Sequence, residues 1–316
     1  MEITVMAFPA ADDPAGVGGL LSQIESAAAA GFRRAWVPQL PPAPGTASWD
    51  TLTVLGIAGA QTPDIELASG VVVAHTQHPL TLARQALTVS AVVGGRLTLG
   101  IGVGHRFMVT DMFGYSYDAP AAYLREYLEV LGPALAGEPV EHHGPRITAV
   151  GQVDLPTAPA PPLVIAALGP RMLDLAGELT DGTVATWTGP RVLEERIVPR
   201  ISKAANDFGR PTPQIVVGVP VMVTDDTESA RATVLDEMGQ AGEFPAYRAI
   251  LEAEGVDTIA DVCLIGDEEH VVSRLRRFAD IGATEFVASP HGDAAIRSRT
   301  VALMQSLSTD AVLRSA

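Results

Sequence analysis

His105 is the side chain whose setting most invites chemistry. It closes the stretch Gly94-Gly95-Arg96-Leu97-Thr98-Leu99-Gly100-Ile101-Gly102-Val103-Gly104-His105, which reads as a buried strand carrying glycine at alternate positions and then an imidazole. An imidazole titrates near neutral pH, so it could give or take a proton beside whatever lies against those glycines. The alternative is that the glycines only let a helix pack closely on the strand and that the histidine is structural. A dinucleotide fingerprint G-x-G-x-x-G does not fit, because it needs glycine at 105 or 107, where the chain has His105 and Phe107.

The turn Ala166-Ala167-Leu168-Gly169-Pro170-Arg171 holds the parts of an anion site: backbone N–H groups at a helix start, a glycine that permits close approach, and an arginine. It reads equally as an ordinary strand-to-helix turn with Pro170 at the first helical position. His75, His78 and the adjacent pair His142-His143 have no carboxylate or cysteine at metal-ligand spacing, so no metal is expected. No G-x-S-x-G nucleophile motif occurs, and Cys263 lies in an apolar run that suits a buried thiol. Arg84, Arg96 and Arg146 read as solvated or salt-bridged.

These groups need a scaffold. Strands are expected over 3–8, 34–38, 65–74, the glycine stretch, 163–167, 183–188, 215–224 and 285–289, with a short apolar piece at 262–265. Helices fill the intervals, a hairpin is expected within 139–153, and 106–117 reads as irregular. Thr227 opens a helical stretch broken near 242–245, and the last helix is expected over 300–307. Eight strand-helix units in 316 residues favour one (β/α)8 barrel over the whole chain, 1–316, against a doubly wound sheet. In such a barrel the C-terminal strand ends carry the site, which singles out Gln39, 69–75, 102–105, 167–171, Trp187-Thr188 and 289–291.

A net charge of −16 argues against nucleic acid or an anionic membrane surface as partner, so any anionic ligand must be held by local donors. A single cysteine excludes an intrachain disulfide and fits a reducing cytoplasm. No signal peptide is expected, since Glu2 stands where basic residues belong and the apolar run at 3–8 is short. Helices over 52–60 and 80–93 are rich in Ala, Leu and Val, which predicts a homodimer that covers them.

Arg84-Gln85-Ala86-Leu87-Thr88 ahead of the glycine stretch, then Ala166-Ala167-Leu168-Gly169-Pro170, then Ala176-Gly177-Glu178 with Asp181-Gly182-Thr183, resemble the luciferase-like monooxygenase superfamily. Within it, the chain is most similar to the coenzyme F420-dependent oxidoreductases of actinobacteria. The resemblance covers nearly the whole chain and implies hydride transfer between a deazaflavin and a small organic substrate. FMN-dependent monooxygenation is the alternative, or deazaflavin or flavin binding without catalysis. It implies a ring lying on a backbone bulge at Ser69-Gly70-Val71, where family members often have a non-prolyl cis peptide. It further implies cofactor contacts at Gly102, Val103, Gly104 and His105, with the phosphate met by Gly104-His105 and by Ala167, Leu168, Gly169, Pro170 and Arg171. Sugar-phosphate dehydrogenases of the superfamily carry an Asp-His pair where this chain has Gln39-Leu40, which argues against that substrate. Their acidic proton donor is matched by His105. The expected substrate walls include Gln39, Trp49, Phe107 and Trp187, within irregular apolar stretches at 39–49, 107–117 and 244–247.

Overall fold

Apolar strand and helix alternate throughout residues 1–308, the part that the computed structural model describes. β1 (Glu2–Met6) leads to α1 (Val17–Ala29), β2 (Arg34–Val37) to α2 (Thr51–Gln61), and β3 (Glu66–Ser69) with its continuation β4 (Val72–Val73) to α3 (Pro79–Val92). β5 (Leu97–Gly102) is followed by α4 (Pro120–Leu135), the hairpin β6 (Val140–His143) and β7 (Thr148–Gly151), then β8 (Leu163–Ala166) and α5 (Pro170–Leu179). β9 (Gly182–Thr186) leads to α6 (Pro190–Val192), a π-helical turn (Leu193–Ile197) and α7 (Val198–Asp207). β10 (Gln214–Val223), α8 (Thr227–Met238), α9 (Pro245–Glu254), β11 (Leu264–Gly266), α10 (Glu268–Ile281), β12 (Glu285–Pro290) and α11 (Ala294–Ser308) follow.

The parallel order β1-β2-β3-β5-β8-β9-β10-β12 closes when β12 pairs with β1, so the expected eight-stranded barrel is present. β4 pairs with β5, and β11 with the far end of β10. Alternation along each strand sorts the side chains. Leu97, Leu99 and Ile101 of β5 join the layer beneath the helices, while Trp36, Ala68, Val164, Val184, Val216 and Val287 fill the barrel interior. At the N-terminal end the interior closes on Glu285, which accepts hydrogen bonds from Thr4 Oγ1 at 2.7 Å and Trp36 Nε1 at 2.6 Å and pairs with Arg34. Arg34 also reaches Glu66 at 2.6 Å. A buried carboxylate is tolerable only with such full pairing.

The excursion between β10 and β11 packs a separate core of Trp187, Met222, Val234, Leu251, Ile259, Val262, Cys263 and Ile265 beside the barrel. Cys263 is buried as expected, and burial pushes its thiol up to about 12.

Four expectations are corrected. The third strand is broken rather than continuous over 65–74, because the chain turns at a cis Gly70–Val71 peptide between β3 and β4. The irregular stretch after His105 contains a π-helical turn, Met108–Met112, and the closing helix begins at Ala294 rather than near 300. Arg96 is half-buried and, among the described residues, not ion-paired: its guanidinium donates to the carbonyls of Gly59 at 2.8 Å, Thr62 at 3.2 Å and Ile65, tying the end of α2 to the barrel wall. Folding also brings Glu126 Oε2 to 3.8 Å from His142, a pair and not a set of metal ligands. Glu126 also accepts from the Arg146 and Ile147 amides at 3.0 and 3.2 Å and so anchors the hairpin turn.

Candidate active site

The glycine strand β5 is explained first by its neighbour. Ser69, at the end of β3, donates its hydroxyl to the Gly100 carbonyl at 2.9 Å and accepts from the Gly100 amide at 2.9 Å. The chain here runs so close to β5 that a Cβ on Gly100 would collide with the Ser69 carbonyl oxygen. A Cβ on Gly102 would stand 2.9 Å from Val71 Cγ2 and 3.3 Å from Ala166 Cβ. The missing side chains of Gly100 and Gly102 are therefore taken up by the adjacent bulge rather than by a helix or open space. Gly104 differs: its φ of +72° lies in the left-handed region that favours glycine.

Beyond Gly104, His105 enters an aromatic group. Its ring centroid lies 4.4 Å from Phe244, 5.4 Å from Tyr247 and 6.1 Å from Phe107; Phe107 meets Phe244 at 5.4 Å, and Tyr247 meets Trp187 at 6.4 Å. These separations are those of stacked and edge-on ring pairs. Burial lowers the His105 pKa below its ordinary value, so the imidazole is neutral at pH 7, and burial raises the Tyr247 phenol to about 12. Trp187 holds a left-handed φ of +57°, a conformation costing roughly 1–2 kcal/mol for a residue with a Cβ. Structures keep such residues where surrounding contacts enforce them, often at sites of function.

Phe107 and Trp187, both expected to line a substrate, are thus brought together with His105. Gln39 and Trp49 are not. The Gln39 side-chain oxygen accepts from the Thr51 amide at 3.1 Å, at the start of α2, and Trp49 is exposed beside Gly16. Phe244 and Tyr247 supply what those two do not; only their apolar character in an irregular stretch marked them in the sequence. His291, at the end of β12, points Nδ1 at the Ser289 carbonyl at 2.9 Å, and burial lowers its pKa.

At the end of β8, Gly169 is the N-cap of α5 with φ −84° and ψ 157°, and no side chain caps the helix. Pro170 has no N–H to leave unpaired, while the Arg171 and Met172 amides have no carbonyl partner among the described residues. A Cβ on Gly169 would meet no atom within 4 Å, and Arg171 is exposed without an ion pair among the described residues. Gly169 and Pro170 separate two cavities. One of about 600 Å³ lies between the first turns of α4 and α5, lined by Ala119, Pro120, Arg125 and Arg171. The other, about 610 Å³, runs between α5, α7 and α9, lined by Arg196, Arg200, Lys203 and Ala246. In a chain of net charge −16, Arg125 is shared with Glu178 at 2.7 Å, Arg200 with Asp174 at 2.6 Å and Lys203 with Asp207, which leaves Arg171 and Arg196 as the local donors without an ion pair among the described residues. α9 borders both regions, with Phe244 and Tyr247 toward His105 and Ala246 toward Gly169. Among the described residues no group of three or more His, Cys, Asp or Glu could hold a metal ion, and no helix is long and apolar enough to cross a membrane.

Known proteins share this fold. The chain is 27% identical, over 77% of its length and 82% of the relative's, to a 5,10-methylenetetrahydromethanopterin reductase of Methanolobus tindarius. An F420-dependent secondary alcohol dehydrogenase, solved with an F420-acetone adduct, superimposes with a TM-score of 0.81 at 18% identity, covering 99% of both chains. The oxygenating constituent of 3,6-diketocamphane monooxygenase from Pseudomonas putida, solved with FMN, gives a TM-score of 0.74 at 18% identity over 96% of this chain and 97% of that one. The sequence profile of the luciferase-like monooxygenases matches residues 1–285, so the chain belongs to the luciferase-like monooxygenase family.

Proposed function

We propose that this chain is a coenzyme F420-dependent oxidoreductase that moves a hydride between reduced deazaflavin and a small organic substrate. The observation that carries the reading is the Gly169 turn, where, among the described residues, no atom fills the space beside the backbone, two amides lack a partner and Arg171 lacks an ion pair. The names of the reductase and dehydrogenase relatives support the choice of coenzyme.

The residues present fit such a group. Ser69, Gly70 and Val71 would carry the ring on their backbone, Gly102 and Val103 would border it, and its phosphate would meet Gly104, His105, Ala167, Leu168, Gly169, Pro170 and Arg171. When bound, a reduced deazaflavin supplies a hydride at C5 and reacts poorly with oxygen. The chain's own part is to orient and to exclude water. Phe107, Trp187, Phe244 and Tyr247 form an uncharged wall that suits an apolar or neutral acceptor. His105, neutral by burial, keeps one ring N–H as hydrogen-bond or proton donor beside that wall.

Fluorescence quenching on titration with oxidised coenzyme F420 and, separately, with FMN tests the reading. Binding of F420 well below the concentration needed for FMN is the expected result. A chain that takes only FMN would be an FMN-dependent monooxygenase instead, and F420 binding without turnover on any of a panel of acceptors would mark a carrier.

We also infer that two copies pair through α2 and α3, whose Ile57 and Val92 expose 42% and 54% of their surface. A monomeric mass by light scattering at micromolar concentration would overturn that. A reducing cytoplasm suits the enzyme, given its lone buried thiol.

A further inference from the structure

His75 is an oddity of the fold outside the site as described. It is 8% exposed, lies in the short turn Ala74–Thr76 after β4, and stacks on Tyr123 of α4 with ring centroids 4.0 Å apart and planes 13° apart. Its Nδ1 is 2.9 Å from the Val103 carbonyl oxygen, which can only accept, so Nδ1 carries the proton. Nε2 is then a buried acceptor, and it has no partner among the described residues. A polar ring in this position costs free energy that a phenylalanine would not, since unpaired buried polar atoms are unfavourable. The bond to Val103 is what the ring offers in exchange.

That bond has a companion. The Tyr117 hydroxyl donates to the carbonyl of the next residue, Gly104, at 2.8 Å, and the Tyr117 ring stacks near His75 with centroids 5.8 Å apart. Two successive carbonyls are therefore drawn to one wall. In an extended strand consecutive carbonyls point to opposite sides, so this requires a local reversal, which Gly104 provides with its φ of +72°. A trans peptide sets each carbonyl opposite the N–H of the following residue. The Gly104 and His105 amides must then both point away from the His75–Tyr117 wall, and neither has a hydrogen-bond partner among the described residues. Adjacent amides converging in this way form a concave anion-binding backbone.

We propose that His75 and Tyr117 are positioning residues that aim the Gly104 and His105 amides at the coenzyme's phosphate. The inference rests on the proposed function, since the phosphate is the coenzyme's, but it assigns a role to two side chains that touch neither ring nor substrate. α4 completes the device. Tyr123 backs the His75 ring, and the Tyr127 hydroxyl donates to the Gln77 carbonyl at 3.1 Å, fixing the turn that carries His75. Burial keeps His75 neutral and Tyr117 protonated, so both remain in the form that makes these bonds.

The test compares binding of coenzyme F420 with binding of its phosphate-free nucleoside, which has the same deazaflavin ring and ribityl chain. Full-length wild type is expected to favour the phosphate-bearing form. His75→Phe keeps the stack on Tyr123 and removes the donor; it should weaken F420 binding about tenfold and leave nucleoside binding unchanged. His75→Asn, which restores an N–H donor, should recover most of the loss. Tyr117→Phe deletes one oxygen from a partly exposed ring and should lower the preference about threefold, which keeps the proposal open to refutation if His75→Phe does not fold. Folded Tyr117→Phe and His75→Phe variants with the wild-type preference would overturn the proposal while leaving the proposed function standing. Wild type that binds both forms alike would remove the phosphate site itself, and this proposal with it.

Discussion

Gly100 and Gly169 both stand near the mouth of the barrel, and in sequence each reads as a place where something comes close. The space beside Gly100 is occupied by the Ser69 carbonyl of the neighbouring strand, whereas the space beside Gly169 is occupied by none of the described residues. The φ of −84° at Gly169 suits any residue, so the backbone does not require glycine there. The difference teaches that an absent side chain marks a close approach without saying by what. Where the protein's own atoms explain the glycine, its role is folding; at Gly169, as at Gly18, Gly132 and Gly239, no neighbouring protein atom does.

The most severe challenge to this contrast is Gly100→Val. Its side chain has to displace backbone, so a loss of about 3 kcal/mol or more is expected, measured by guanidinium unfolding. A variant within about 1 kcal/mol of wild type would mean that the bulge yields easily and that the contrast is false. His105→Gln asks where on this strand folding ends and chemistry begins. Turnover should fall on the order of a hundredfold, as for loss of a general acid, with F420 affinity little changed because the backbone amide survives. Equal turnover would return His105 to a structural role. Gly169→Val should fold to within about 1 kcal/mol of wild type and bind coenzyme F420 at least about tenfold more weakly, close to 1.4 kcal/mol. Unchanged affinity in a folded variant would place the phosphate at another strand end.

The smallest expected effect is on pH dependence, and it separates the two regions again. Burial lowers the pKa values of His75 and His105, which flank the β5 end, and of His291. A histidine held below its unfolded value near 6.5 binds fewer protons folded than unfolded. Its stabilising contribution is complete above that value and is lost as pH falls through it toward the folded pKa. Urea midpoints should therefore be flat from pH 8 to 7 and decline toward pH 5, with a shallower decline in His75→Phe. Gly169→Val should leave the slope untouched, since that turn holds no such group. A steeper decline in His75→Phe would mean that the ring is charged in the folded chain.

The barrel was legible because its signals are local. Strand runs, glycine stops and prolines at helix starts, such as Pro79 and Pro170, fix element type and order without knowledge of neighbours. The Asp50 N-cap of α2 belongs to the same class. What the sequence concealed depends on contacts between distant residues. Nothing near Arg96 announces three carbonyl acceptors around 59–65, and Glu126 is 16 positions from His142, far outside any metal-ligand spacing. At the site, His105, Phe107, Trp187 and the Gly169 turn were visible from their places after strands. Gln39 and Trp49 shared that positional logic, but a side chain after a strand can also turn back to hold its own loop, as Gln39 does at α2. The roles of His75 and Tyr117 lie in the direction of two carbonyls, which no residue pattern encodes.

The separate core of the β10–β11 excursion has an evolutionary consequence. Because Val234, Leu251, Ile259, Val262 and Cys263 form their own cluster, joined to the barrel through Trp187, Met222 and Ile250, much of the segment can drift in sequence with little effect on the barrel, while Phe244 and Tyr247 ride on it at the mouth. Changes at the mouth can therefore arise in a segment that shares only part of its core with the barrel. Grafting residues 224–266 between such barrels is the natural route to a different mouth on an unchanged barrel.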